Sequence, residues 1–220
     1  FDNGIICSHE QFVLTPEERY DETVKLFKDT GKVWFTDDDG QIEKLRKLVF
    51  PEGHLNKDVV GRSAREIGAM VGIDVPASAR IILLPAKGAG AADLLAKEKL
   101  CPVVAILPYK TFHDAVAKAK ANLLVEGAGH SAALHSNDES NIREAGVELP
   151  VSRLVVNQAS SLTAGGSLTN GFAPTTTLGC GSWGGNSISE NLDYKHLMNV
   201  SRIGKVITTK RVPTDEEIFA

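Results

Sequence analysis

The chain has 220 residues, 24 of them basic and 28 acidic, for a formal net charge of −4. That length suits one large domain or one and a half small ones. Its 42% apolar and 24% charged content is an ordinary globular balance that excludes a disordered, collagen-like or disulfide-scaffold chain. The acidic balance argues against gripping nucleic acid or an anionic membrane through bulk charge.

No apolar run approaches the roughly 18 residues that a membrane helix needs. The longest, residues 81–84 and 103–107, are strand-sized. Cys7, Cys101 and Cys180 form an odd, sparse set without Cys-x-x-Cys spacing. Free thiols in a reducing, cytoplasmic setting are the expectation. The six histidines are scattered, and no metal site is expected. No secretory signal is expected either. An opening of Phe1-Asp2-Asn3-Gly4 without methionine reads as a processed or cut piece.

Residues 1–14 read as a turn-rich loop leading into a short apolar run. Thr15-Pro16-Glu17-Glu18 predicts a helix start, with a hydroxyl cap, proline in the first turn and acids at the positive helix end. Val24, Leu26 and Phe27 follow, and Gly31 stops that helix. Residues 32–36 predict a strand. Asp37-Asp38-Asp39 caps a helix whose Ile42, Leu45, Leu48 and Val49 line one face. The acid run does not fit a calcium loop, because no acid falls where the bidentate glutamate belongs.

Further helices are predicted over 57–72, 91–97, 111–124, 139–145 and 191–199. Strands are predicted over 80–84, 103–107, 131–135, 153–156 and 201–209. Strands alternating with helices make a parallel α/β sheet. Residues 157–190 break the rhythm, being rich in Gly, Ser, Thr and Asn and too long for an ordinary connector.

Cys7 follows a glycine-containing turn, where backbone N–H groups can lower a thiol's pKa and hold an oxyanion. From the residues alone, a buried structural cysteine is the commoner fate. His9 lies two residues on, and a surface histidine is the better reading than a Cys–His pair. Lys87-Gly88-Ala89-Gly90-Ala91-Ala92 lacks the third glycine of a dinucleotide fingerprint and reads as a plain turn. Glu98 is either a solvated charge or a ribose ligand. Gly179-Cys180-Gly181-Ser182-Trp183-Gly184-Gly185-Asn186 carries four glycines, which permit close approach of backbone to a ligand. The alternative there is a turn plugged by its aromatic residue.

Together these pieces resemble the CoA-acylating aldehyde dehydrogenases, within the wider aldehyde dehydrogenase superfamily. The matching stretches are Phe1-Asp2-Asn3-Gly4-Ile5-Ile6-Cys7-Ser8-His9-Glu10-Gln11, Glu98-Lys99-Leu100-Cys101-Pro102-Val103, Gly129-His130-Ser131-Ala132, Arg153-Leu154-Val155-Val156-Asn157 and Leu178-Gly179-Cys180-Gly181-Ser182-Trp183-Gly184-Gly185-Asn186-Ser187. They occur in the family's order and span nearly the whole chain.

The resemblance implies a parallel-sheet, three-layer catalytic domain over 1–199, with the nucleotide-binding domain and its oxyanion-hole asparagine lying upstream. Residues 200–220 would form a strand and tail that cross to a partner subunit. Cys7 matches the catalytic thiol, Glu98 the glutamate that holds the nicotinamide ribose, and Leu100 the apolar residue beside that ring. His130 falls near the cleft. Gly179, Gly181 and Trp183 belong to a segment bordering the active-site funnel. Cys101 and Cys180 match positions without an assigned catalytic role.

The implied reaction is aldehyde plus CoA and NAD(P)+ to acyl-CoA and NAD(P)H through a cysteine thioester, in a homodimer or homotetramer. A stand-alone enzyme is expected over a bifunctional one. Its rivals are a hydrolytic enzyme releasing a carboxylate, a non-catalytic assembly fragment, and a Cys–His hydrolase. Acetaldehyde, propionaldehyde, succinate semialdehyde and sulfoacetaldehyde all stay open as substrates, as does NAD against NADP.

Overall fold

The computed structural model describes all 220 residues. Four parallel strands, β1 (Phe12–Pro16), β2 (Val33–Phe35), β3 (Ile81–Pro85) and β4 (Val103–Tyr109), form one sheet in the order β1-β4-β3-β2. A shorter parallel pair, β5 (Gly129–Leu134) and β6 (Val151–Val156), forms a second. Helices α1 (Tyr20–Asp29), α2 (Asp39–Val49), α3 (Ala64–Met70), α4 (Phe112–Val125) and α5 (Glu139–Glu148) connect them. The alternation predicted from the sequence is therefore the observed architecture.

Side-chain alternation along β3 and β4 builds three layers. Ile82, Leu84, Val103 and Ala105 face one way, onto Ile42, Leu45 and Val49 of α2 and Ile67 of α3. Leu83, Val104 and Ile106 face the other way, onto Val24 of α1. Both faces are covered, which is why β3 and β4 read as unbroken apolar runs. Val116, Ala145 and Leu149 bind α4 and α5 to the β5–β6 pair.

Most helix starts follow local capping chemistry. Asp38 Oδ1 accepts from the Gln41 N–H at 2.8 Å. Ser63 and Glu66 form a reciprocal capping box, and Thr111 caps α4.

Several expectations are corrected. Thr15 and Pro16 end β1 instead of starting a helix, and Thr15 Oγ1 bonds to Thr23 Oγ1 at 2.8 Å. Pro16 is tolerated because β1 is an edge strand. The helix over 57–72 is cut to Ala64–Met70, because Gly61 adopts φ +70° and the Ser63 box restarts the chain. Residues 91–97 form two 3-10 turns. Asp93 between them is extended, and its carboxylate is used elsewhere. The helix over 191–199 shrinks to a 3-10 turn at Tyr194–Leu197.

Residues 201–209 form no strand. They are exposed along their length, and no strand of the chain pairs with their backbone. A one-turn helix, α6 (Ser160–Thr163), follows β6, and the tail holds one short helix, α7 (Asp215–Phe219). No helix is long and apolar enough to cross a membrane.

The carboxylate of Asp93 joins α2 to the segment before β4. It takes a two-pronged contact from Arg46, Nε to Oδ1 at 3.0 Å and Nη2 to Oδ2 at 2.9 Å. The N–H groups of Lys87 and Leu95 add bonds at 2.7 and 3.0 Å. Burial opposes the charge, but these bonds outweigh it and hold the carboxyl below its usual range. Its stabilisation is complete at neutral pH and lost as pH falls through that depressed value. Asp93→Ala leaves the buried Arg46 with Glu43 as its one remaining acid, at 3.0 Å, so urea denaturation at pH 7 should read a loss of about 2–3 kcal/mol. The gap from wild type should narrow in acid.

Candidate active site

Cys7 sits at the tip of a turn closed by the His9 N–H donating to the Ile6 carbonyl at 3.0 Å. The approach to this turn is unusual. Asp2, Asn3 and Gly4 all have positive φ, at 50°, 47° and 77°. Gly4 is buried, and a Cβ there would lie 2.7 Å from the Cys101 carbonyl oxygen, so no side chain fits. Asn3 Nδ2 donates to the Gly61 carbonyl at 3.0 Å.

Cys7 is exposed, so its thiol is open to a ligand. Its environment raises the thiol pKa. Partial burial is the largest cause, and the Glu98 and Cys180 side chains add to it; the N–H groups of Cys7 and Ser8 pull the other way. The expected backbone donors are thus present, but they do not win. The same causes locate Cys7 between two walls, the 98–101 loop and the loop carrying Cys180.

The first wall is held at four consecutive residues. The Glu98 N–H donates to Glu126 Oε2 at 2.7 Å, and the Lys99 N–H to Gln11 Oε1 at 2.7 Å. The Leu100 carbonyl accepts from the Gly61 N–H at 3.0 Å, and the Cys101 carbonyl packs on Gly4. Leu100 is held at φ 48°, a left-handed conformation costly for a leucine. Burial, then the Glu126 charge, raises the Glu98 carboxyl pKa.

Lys99 turns inward and is completely buried, Nζ donating to the Leu95 and Lys97 carbonyls at 2.7 and 3.0 Å. Burial pushes it down to about 8. Burial also pushes the neighbouring Cys101 thiol up to about 11, which suits an inert core residue.

Arg153 organises the second wall from β6. Its side chain is buried with no carboxylate partner. Nη1 donates to the Gly179 carbonyl at 2.9 Å and to Asn191 Oδ1 at 3.4 Å. Nη2 donates to the carbonyls of His130 at 2.9 Å and Gly129 at 3.3 Å. Gly129, at φ +84°, lies so close to the Cys180 carbonyl that a Cβ would be 1.9 Å from it. His130 Nδ1 bonds to Ser131 Oγ at 2.8 Å, and Ser160 Oγ donates to Ser131 Oγ at 3.3 Å. Burial, then the Arg153 charge, lowers the His130 pKa.

Two expectations change here. His9 is half-buried, not on the surface; its Nδ1 has no partner, and burial pushes it down to about 4. That disfavours the imidazolium half of a Cys–His pair. Gly179 and Gly181 make their close approach to the chain itself. Added Cβ atoms would lie 2.3 Å from the Ile188 carbonyl oxygen and 2.8 Å from the Ser189 Cβ, respectively. Trp183 is 54% exposed and plugs nothing.

Gln11, Gly61, Lys99 and Asn191 carry no individual signal in the sequence, and Arg153 enters only as part of a motif. A basic residue inside the otherwise apolar Arg153-Leu154-Val155-Val156 run is the one sign that points to it.

No family model matches the chain. It is 52% identical over 219 residues to a succinate-semialdehyde dehydrogenase (acetylating) of Clostridium kluyveri, covering all of this chain and 48% of that protein. It is 37% identical over 212 residues to aldehyde-alcohol dehydrogenase 2 of Entamoeba histolytica, covering 92% of this chain and 24% of that one. Among solved structures, it matches an acetylating aldehyde dehydrogenase from Geobacillus thermoglucosidasius with a TM-score of 0.87 at 29% identity. That match covers 98% of this chain and 46% of the other. The TM-score is 0.74 against a propionaldehyde dehydrogenase from Clostridium phytofermentans, at 28% identity over 87% of this chain and 42% of that one.

The fold is that of the aldehyde dehydrogenases. Within it, the chain belongs with the acetylating aldehyde dehydrogenases, as a portion of them: it spans about half the length of the first relative, and about a quarter of the second.

The electrostatics of the first wall are testable. Glu98→Gln removes a negative charge that raises the Cys7 pKa. Alkylation of Cys7 by iodoacetamide at pH 8 should therefore speed up by about two- to fivefold, a shift of under one pKa unit. An unchanged rate would separate Glu98 from the thiol.

Proposed function

We propose that these residues are the catalytic half of an enzyme that converts an aldehyde, CoA and NAD(P)+ to acyl-CoA and NAD(P)H. The observation that carries this reading is an exposed Cys7 at a turn tip, flanked by its own N–H donors and by two rigid walls. Similarity along the whole chain to proteins named acetylating aldehyde dehydrogenases supports the acylating branch.

Cys7 is the nucleophile: its thiolate adds to the aldehyde carbon, and the N–H groups of Cys7 and Ser8 face the forming oxyanion. Glu98 and Leu100 are the residues that would hold a nicotinamide dinucleotide. They fit it, because the Glu98 carboxylate is not consumed by a cation. Lys97 reaches Gly53 and Glu126 instead, and Lys99 points inward. A nicotinamide dinucleotide held there would supply the hydride acceptor needed to oxidise the Cys7 hemithioacetal to the Cys7 thioester. The thiol of CoA then attacks the thioester carbonyl, the C–S bond to Cys7 breaks, and the proton of the CoA thiol ends on the Cys7 sulfur. A thiol is nucleophilic enough that no water-activating base is needed.

His130 and the Gly179–Trp183 loop would line the side from which the acyl acceptor arrives. Residues 1–199 act as the catalytic domain, and 200–220 contact a second subunit of a cytoplasmic homodimer or homotetramer. Ile203, Val206, Ile207 and Val212 are exposed apolar residues that such a contact would cover. Succinate semialdehyde leads the substrate panel because of the 52% identical relative. Acetaldehyde, propionaldehyde and sulfoacetaldehyde follow.

The test uses the full-length protein carrying this sequence. NADH or NADPH formation from each aldehyde should require CoA and yield acyl-CoA. Reduced cofactor with free carboxylate as product would assign the hydrolytic branch instead. Cys7→Ala should abolish turnover while leaving the thermal melting temperature within about 2 °C, as for a substitution at an exposed site.

A further inference from the structure

Burial alternates along the loop before β4. Glu98 is exposed, Lys99 is completely buried, Leu100 is half-buried and Cys101 is completely buried. Lys99 is the one lysine among the buried residues of the chain. Its sequence neighbours Leu95 and Cys101 belong to the apolar core. An apolar side chain would fill this place without the cost of burying an ammonium.

The hydrogen bonds of Lys99 show what the ammonium adds. Nζ donates to the Leu95 carbonyl at 2.7 Å and to the Lys97 carbonyl at 3.0 Å. No backbone N–H reaches either carbonyl, so the ammonium is the partner of both. The chain therefore leaves the 3-10 turn Leu94–Ala96 by winding around its own lysine. That turn is anchored in its own right, because the Leu95 N–H donates to Asp93 Oδ1, which also accepts from Arg46 of α2. The Lys99 backbone is fixed separately by its N–H bond to Gln11 Oε1 at 2.7 Å.

Residue 99 is thus held inward at two points. Glu98 before it is left at the surface. Leu100 after it takes φ 48°, and Cys101 then returns to the core. A leucine keeps such a conformation only where its surroundings over-determine it, and the inward Lys99 and Cys101 on either side do so. The lysine also acts by charge. It opposes the burial and the Glu126 charge that raise the Glu98 carboxyl pKa.

We propose that Lys99 is a positioning residue for the nicotinamide dinucleotide, its buried ammonium fixing the loop so that Glu98 and Leu100 are presented together to that ligand. The inference rests on the reading that Glu98 and Leu100 hold the cofactor. Lys99 acts through them, since none of its side chain reaches the surface.

The experiment compares wild type, Lys99→Met and Lys99→Leu in the full-length protein. Both variants fill the buried slot with an apolar side chain and remove the donors. Binding of NADH and NADPH is titrated by the fluorescence of the reduced ring. Amide hydrogen exchange is followed without cofactor at Gly61, whose N–H donates to the Leu100 carbonyl, and along β3 and β4. In either variant the Kd for the reduced cofactor should rise by about tenfold or more. Exchange at Gly61 should accelerate about tenfold more than exchange in β3 and β4. Alkylation of Cys7 by iodoacetamide should stay within about threefold of wild type.

Wild-type cofactor affinity in a cooperatively melting variant would overturn the inference. Equal acceleration of exchange at Gly61 and in β3 and β4 would show a general role in the fold and overturn it too. If neither variant melts cooperatively, Lys99 serves the fold alone and the inference falls. A wild-type protein that binds neither NADH nor NADPH would instead remove the reading of Glu98 and Leu100, a result recognisable before any variant is made.

Discussion

Four consecutive residues, 98–101, are each fixed by a different distant part of the chain, and the site depends on that arrangement. Glu126 holds the first by its N–H, Gln11 the second, Gly61 the third by its carbonyl, and Gly4 packs on the fourth. Gln11 and Gly4 flank Cys7 in sequence. The same contacts that shape the loop therefore place the thiol beside it. Gly61 closes the circuit, accepting from Asn3 and donating to Leu100. A short segment with little regular structure becomes as well determined as a strand, because its polar backbone groups are paired with partners that are themselves anchored.

The opposite wall reaches the same end by other means. There a single side chain gathers carbonyls from segments up to 62 residues apart in sequence, from Gly129 to Asn191. Burying an unpaired cation is expensive unless its donors are satisfied, and Arg153 meets that condition at its two terminal nitrogens with neutral oxygens, while its Nε stays unpaired. The choice leaves a positive charge next to His130 and Cys180 instead of cancelling it with an acid. One wall carries negative charge and the other positive, with the Cys7 thiol between them.

The sequence made the alternation of strands and helices legible because β3 and β4 are buried on both faces and α2 is amphipathic. Both patterns are local. The failures have a common cause in groups whose partners are remote. Thr15 and Pro16 look like a helix start until β4 claims their strand, and residues 91–97 look helical until Arg46 takes the Asp93 carboxylate. Residues 201–209 have strand composition but find no pairing edge within this chain. Among the candidate site residues, Cys7, Glu98 and His130 were singled out through motif resemblance. Gln11 lay in the same matching stretch as Cys7 without a role, and Gly61 lay in none, since a glutamine and a glycine carry no sign of which backbone they will meet.

The placement of the site within the sheet has its own consequence. Cys7 precedes β1, the 98–101 loop precedes β4, and Gly129 and His130 open β5. The thiol thus lies toward the amino-terminal edge of the parallel strands, whereas open α/β sheets usually bind ligands at the carboxyl edge. Connecting helices run back against their strands, so the edge with strand beginnings is also the edge with helix endings. α4 finishes at Val125, and the next residue, Glu126, takes the Glu98 N–H. Helix ends of this kind carry partial negative charge. This edge therefore offers the thiol no helix start, and a Cys7 thiolate is favoured by the two N–H groups of its turn and by the Arg153 charge on the opposite wall.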